Sequence, residues 1–144
     1  MSPLKTLALI GFVLAAALGA QAAGKQSPTK AEMKAVVDPA SATLFAVGGE
    51  VDPSNGPDAA KVPAKRWAEA GAAATKLQTA SAHLLLPGRV KDKGAWMGFA
   101  KAMAKQSADA AAAVKAQDGA KLTQVANDLG DTCSGCHAKY KPKS

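Results

Sequence analysis

The sequence predicts an all-α chain folded as an antiparallel four-helix bundle, and three observations carry that expectation. Apolar residues recur three and four positions apart in four long stretches, the period of one helix face. Proline and glycine pairs fall between those stretches, with Pro39 the interior exception. Strand-favouring clusters of Val, Ile, Thr and Tyr are nearly absent. The 144 residues suit one domain and argue against a multidomain enzyme. A content of 48% hydrophobic and 20% charged residues excludes a disordered chain. Only 4% of the residues are aromatic and alanine is the commonest type. Alanine-rich helices bury little apolar area, so such a fold gains from something else filling its centre.

The first stretch reads as a targeting segment. Lys5 precedes an uninterrupted apolar run from Leu7 to Leu18, and Ala20-Gln21-Ala22 offers the small-x-small pattern of a cleavage site. The run is shorter than the roughly 20 residues that span a bilayer. No cysteine follows it to carry a lipid. The expectation is a cleaved signal peptide over residues 1–22 and a mature domain over residues 23–144, exported to the periplasm of a Gram-negative bacterium. No stable membrane insertion is expected after cleavage. An uncleaved anchoring helix is the other reading.

Four helical segments follow in order. The first runs from about Thr29 to Gly48-Gly49, with Met33, Val36, Val37, Ala40, Leu44 and Val47 on one face. Asp38-Pro39 interrupts it and predicts a kink or a break, because proline lacks a backbone donor and crowds the preceding turn. Glu50 to Val62, with Pro53, Asn55-Gly56 and Pro57, reads as a long surface crossover. The second segment opens at Pro63 and carries Trp67, Ala70, Ala74, Leu77, Ser81 and Leu84 on its stripe. Pro87-Gly88 stops it. The third starts near Asp92, with Trp96, Phe99, Met103, Ser107, Ala110 and Val114 in line, and ends at Asp118-Gly119. The fourth repeats the pattern at Leu122, Val125, Leu129, Cys133, Cys136 and Tyr140, before Pro142.

The specific motif of the chain is Cys133-Ser134-Gly135-Cys136-His137. On a helix, Cys133 and Cys136 lie one turn apart, so their thiols can add to the two vinyl groups of one haem. His137 beside them supplies an axial iron ligand. This is the C-x-x-C-H pattern of covalent haem c attachment, and export agrees with it. Three other readings compete with it. A thioredoxin-type dithiol would sit at a helix start within a βαβ unit. A zinc site from Cys133, Cys136, His137 and His83 crowds adjacent ligands onto one tetrahedral ion. A disulfide across two residues closes too small a loop to stabilise much.

Seven residues, Ala138 to Ser144, follow His137, and none is methionine. A haem motif on the last helix of a bundle, with Tyr140 and Lys141 after it, resembles the class II c-type cytochromes, the cytochrome c′ family. The resemblance spans the mature chain in helix number and length, while its specific residues lie in the fourth segment. It implies a haem held against the first, third and fourth helices. It also implies either a low-spin carrier with a methionine from the first helix or a high-spin protein with an open distal side. Met33 is the candidate distal ligand, a soft neutral thioether that favours ferrous iron. Its other reading is core packing. Met97 and Met103 read as packing residues. His83 is either a second histidine ligand or a helix-end residue favoured by the helix dipole. Trp67 and Trp96 are expected to pack on each other or on the porphyrin.

The formal net charge is +7. Most basic residues are scattered, but Lys139, Lys141 and Lys143 follow the motif, where positive charge would steer an acidic redox partner protein. No nucleic-acid-binding motif accompanies that charge. The stripes do not distinguish a monomer from a homodimer. The leading functional expectation is a soluble periplasmic one-electron carrier rather than an enzyme. A five-coordinate haem protein that binds NO or CO is the alternative.

Overall fold

The computed structural model describes residues 27–142, which fold as helices and connecting turns with no strand among them. The signal peptide expected over residues 1–22 and Lys143 lie outside the described residues. The first helical rod has three parts. Helix α1 (Pro28–Glu32) begins where the Ser27 Oγ accepts the Lys30 N–H at 3.2 Å. A π-helical turn spans Met33–Val37, and helix α2 follows at Asp38–Glu50. In the π turn the Asp38 N–H donates to the Met33 carbonyl, five residues back. Pro39 brings no donor and crowds the turn before it, and a widened turn there absorbs both defects. The interruption expected at Asp38-Pro39 therefore falls one turn earlier, and the rod continues through it.

The crossover is more ordered than a surface loop. Residues Pro53–Lys61 wind into 3₁₀ turns, started by the Asp52 carboxylate accepting the Ser54 N–H at 2.8 Å and bent at Gly56, where φ is 78°. Buried Val51 and Ala59 seat it on the core. Helix α3 (Ala64–His83) follows Pro63, α4 spans Ala95–Ala116, and α5 spans Gly119–Tyr140. Helix α4 begins three residues later than the sequence predicts. The Asp92 Oδ1 accepts the Gly94 and Trp96 N–H groups at 2.9 and 3.2 Å, so Asp92 caps the start and stays outside the helix. At the other end, Gln117 in the left-handed conformation (φ 51°) terminates α4, and the Asp118 side chain caps α5 at the Lys121 N–H.

Helices α2, α3, α4 and α5 pack each on the next, and α5 packs back on α2. Side-chain bonds show that neighbours run in opposite directions. Arg66 at the start of α3 pairs with Glu50 at the end of α2, and Thr123 near the start of α5 donates to the Gly48 carbonyl at 2.7 Å. Leu44, Leu77, Leu122 and Leu129 are completely buried at the centre, framed by alanines. Ser81 and Ser107 are buried too, each returning its hydroxyl to a carbonyl of its own helix at 2.7 Å.

Small residues set the helix spacing at one end. A Cβ placed on Gly48 would stand 2.8 Å from that of Ala126, and one on Gly71 would stand 3.3 Å from Val114. A Cβ on Gly119 would meet the Val51 carbonyl. Gly49, next in sequence to Gly48, has nothing within 4 Å. Replacing Gly48 by Ala should therefore destabilise the fold by about 1–3 kcal/mol through overpacking. Gly49→Ala should stabilise it by about 0.5–1 kcal/mol through helix propensity. Denaturant unfolding of the two variants checks the contrast in sign.

Candidate functional site

The opposite end of the helices opens. Along α5 the apolar stripe is fully buried through Leu129 and then only half-buried at Cys133, Cys136 and Tyr140. The opening is a cleft of about 90 Å³. Cys133, Cys136 and His137 form one wall, the cysteines one helical turn apart and the histidine exposed at the edge. Met33 and Val37 from the π turn, with Asp38, Ser41 and Phe45 from α2, form the facing wall. Trp96, Phe99 and Met103 of α4 and Leu84 close the interior. The cleft surface is overwhelmingly apolar.

An aromatic group fixes the last turns of α5 against the start of α4. Buried Trp96 donates its indole N–H to the Leu84 carbonyl at 2.8 Å and stands edge-on to Tyr140, ring centres 5.1 Å apart. Phe99 also meets Tyr140 edge-on, at 6.4 Å. Its ring edge lies where a Cβ on Gly135 would be, at 3.0 Å, so the glycine within the cysteine motif admits the ring. The Tyr140 hydroxyl donates to Asp92 Oδ2. Burial and this bond push the Tyr140 hydroxyl up to about 12, while the same hydroxyl, assisted by the two backbone donors, holds Asp92 below the ordinary carboxylate value.

Burial pushes both cysteine thiols above the ordinary value, and for Cys133 the nearby Cys136 and Asp38 add to it. Two neutral thiols on the closing turns of a helix are the reverse of the thiolate that a thioredoxin-type site draws from a helix start. The cysteines are not bonded to each other. Among the described residues no group of three or more His, Cys, Asp and Glu side chains is arranged to hold a metal ion.

Four separated sequence positions thus meet at one cleft: Met33, Cys133, Cys136 and His137. His83 does not line it. Its Nδ1 lies 2.5 Å from Glu32 Oε1, and Arg89 binds the other oxygen of the same carboxylate. Burial opposes ionisation of Glu32, but the bonds to His83 and Arg89 outweigh it and lower its pKa. Met103 lines the cleft and Met97 does not. Trp67 and Trp96 do not pair: Trp67 begins α3, Trp96 begins antiparallel α4, and the two lie at opposite ends. The Asp92–Tyr140 bond joins two lysine pairs that sequence keeps apart, Lys91 and Lys93 around the aspartate and Lys139 and Lys141 around the tyrosine. Sequence reasoning passed over Asp92 and Glu32 as site supports. The Asp-x-Gly spacing of Asp92 and Gly94 signals a cap, but nothing local pairs Glu32 with residues fifty positions away.

Comparison with known proteins finds no matching family model, no matching curated protein and no matching solved structure.

Because the Asp92 pKa is depressed in the fold, its stabilising effect is present above the unfolded aspartate value of about 4 and is lost as pH falls through the folded value. Tyr140 gives the mirror image. Its raised pKa contributes below the unfolded value of about 10, and that contribution is lost as pH rises through about 12. Asp92→Asn should lower the unfolding midpoint at pH 7 and flatten its decline in acid, as read by denaturant titrations across pH 2–7.

Proposed function

We propose that this chain is an exported c-type cytochrome, an antiparallel four-helix bundle that carries one haem c through Cys133 and Cys136. Its role is soluble one-electron transport in a bacterial periplasm, with no bond-making on a substrate. One observation carries the reading: the C-x-x-C-H motif borders an apolar cleft, and Met33 stands on the wall that faces it. The donor set suits the group, with two neutral thiols, an imidazole and a thioether around a surface that excludes water. The resemblance of the C-terminal motif to the cytochrome c′ family supports the same assignment. Among the described residues no helix is long and apolar enough to cross a membrane.

Bound haem would supply a reversible Fe(III)/Fe(II) couple. The chain's own residues would act as follows. Cys133 and Cys136 would hold the group to α5, each by adding its S–H across one vinyl, sulfur to one carbon and proton to the other. His137 would supply an imidazole nitrogen and Met33 a thioether sulfur as donors to the iron. Trp96, Phe99 and Met103 would keep water from the group and lower the local dielectric, which would favour the less charged reduced state. Lys91, Lys93, Lys139 and Lys141 surround the end of the molecule nearest the motif and would speed encounter with an acidic redox partner.

Co-expression with haem-attachment machinery should yield a coloured protein with a c-type pyridine haemochrome spectrum and a mass increased by one haem. A colourless product with the bare polypeptide mass would overturn the proposal. The oxidised protein should show a near-infrared methionine-to-iron band that Met33→Ala abolishes. A high-spin spectrum unchanged by Met33→Ala would instead assign a five-coordinate protein that binds NO or CO. A Cys133→Ser, Cys136→Ser double variant, unable to hold the group, should lower Tm by roughly 10 °C or more relative to the loaded protein, because the alanine-rich helices lose what fills their open end.

A further inference from the structure

Helix α1 has little to hold it in place. It is five residues long, none of its residues is buried, and its cap is a local bond from Ser27. The π turn that follows breaks the regular α-helical ladder between α1 and α2. Met33 itself is half-buried, packed against the edge of the core. The residue before it is the exception. Glu32 is the least exposed member of a three-residue ion cluster, its side chain 13% exposed against 22% for Arg89 and 42% for His83. One carboxylate oxygen meets His83 at the last turn of α3, and the other meets Arg89 in the connection to α4.

We infer that Glu32 is a positioning residue for Met33, tying the turn that carries the thioether to the α3–α4 connection and so holding it over the cleft. The inference rests on the reading of Met33 as an iron ligand. Surface ion pairs contribute little to global stability, so the effect of this cluster is local order. With Glu32 removed, α1 frays from its tether, the π turn loses its outer anchor, and Met33 spends part of its time away from the iron. His83 acts here through Glu32 and not as a ligand.

The test uses the full mature haem-loaded protein with Glu32→Ala, Glu32→Gln and Arg89→Lys, and with Met33→Ala as the reference. Two readouts decide, amide exchange and the near-infrared band, and carbon monoxide binding is a third. Amide hydrogen exchange of residues 28–37 should accelerate on the order of tenfold in Glu32→Ala while α4 and α5 stay as in the wild type. The near-infrared methionine band should weaken markedly in Glu32→Ala, less in Glu32→Gln, and remain in Arg89→Lys, which keeps a cationic donor. Carbon monoxide should bind the reduced Glu32→Ala protein faster than the wild type, because the distal position is open more of the time. A wild-type band kept at full strength in Glu32→Ala, with unchanged exchange, would overturn the inference and leave Met33 as a ligand. A wild type lacking any band that depends on Met33 would overturn both. Should Glu32→Ala fail to fold, Glu32→Gln decides by the same two readouts.

Discussion

The architecture depends on unequal helix spacing along its length. Near the end of α2 and the start of α5, Gly48 faces the Ala126 methyl so closely that a second methyl would not fit beside it. Gly71 admits Val114 at the same end, and Gly119 lies under Val51. Such contacts draw the helices together where side chains are smallest. Toward the other end the stripes carry Met33, Trp96, Phe99, Met103 and the cysteines, and these line the cleft. Interiors pack to a nearly constant density, so helices that converge at one end and bear bulk at the other enclose a wedge. The cleft is that wedge.

Holding a wedge open needs rigid supports at its rim. Trp96, Phe99 and Tyr140 form one, with Asp92 binding the Tyr140 hydroxyl and capping α4 through the same carboxylate. This places the closing turns of α5, and with them Cys136 and His137, relative to the start of α4. The Glu32 cluster forms the second support on the far side. Both use a carboxylate that satisfies two separate elements at once, an arrangement that resists the collapse an apolar cleft invites. The four exposed lysines flank the Asp92–Tyr140 bond, beside the closing turns of α5 that carry the motif.

Much of this was legible in the linear chain. The stripes Ala70, Ala74, Leu77, Ser81 and Leu84, and Leu122, Val125 and Leu129, are buried as their periodicity predicts, because a helix face is a local geometric consequence of spacing. Proline and glycine marked the helix ends to within a few residues. Pro39 was read as a disruption of the rod. Its remedy, a π turn ahead of it, was not legible, since that depends on whether neighbouring helices reward continuation more than a break. The pairing of Trp67 with Trp96 failed for a related reason: both lie on apolar faces, but stripe membership carries no information about height along the stack.

What the amino-acid order determined by itself was the helical class, the faces, and a spacing that sets Cys133, Cys136 and His137 side by side on one helix. Each of these is a property of residues a few positions apart. Tertiary structure alone decided that Met33 would stand opposite that motif, that His83 would spend its nitrogen on Glu32, and that Asp92 would join two lysine pairs. Those outcomes hang on how closely four helices approach and how far they splay. That distance is set jointly by glycines and aromatic rings scattered over the whole chain, and no local segment contains it.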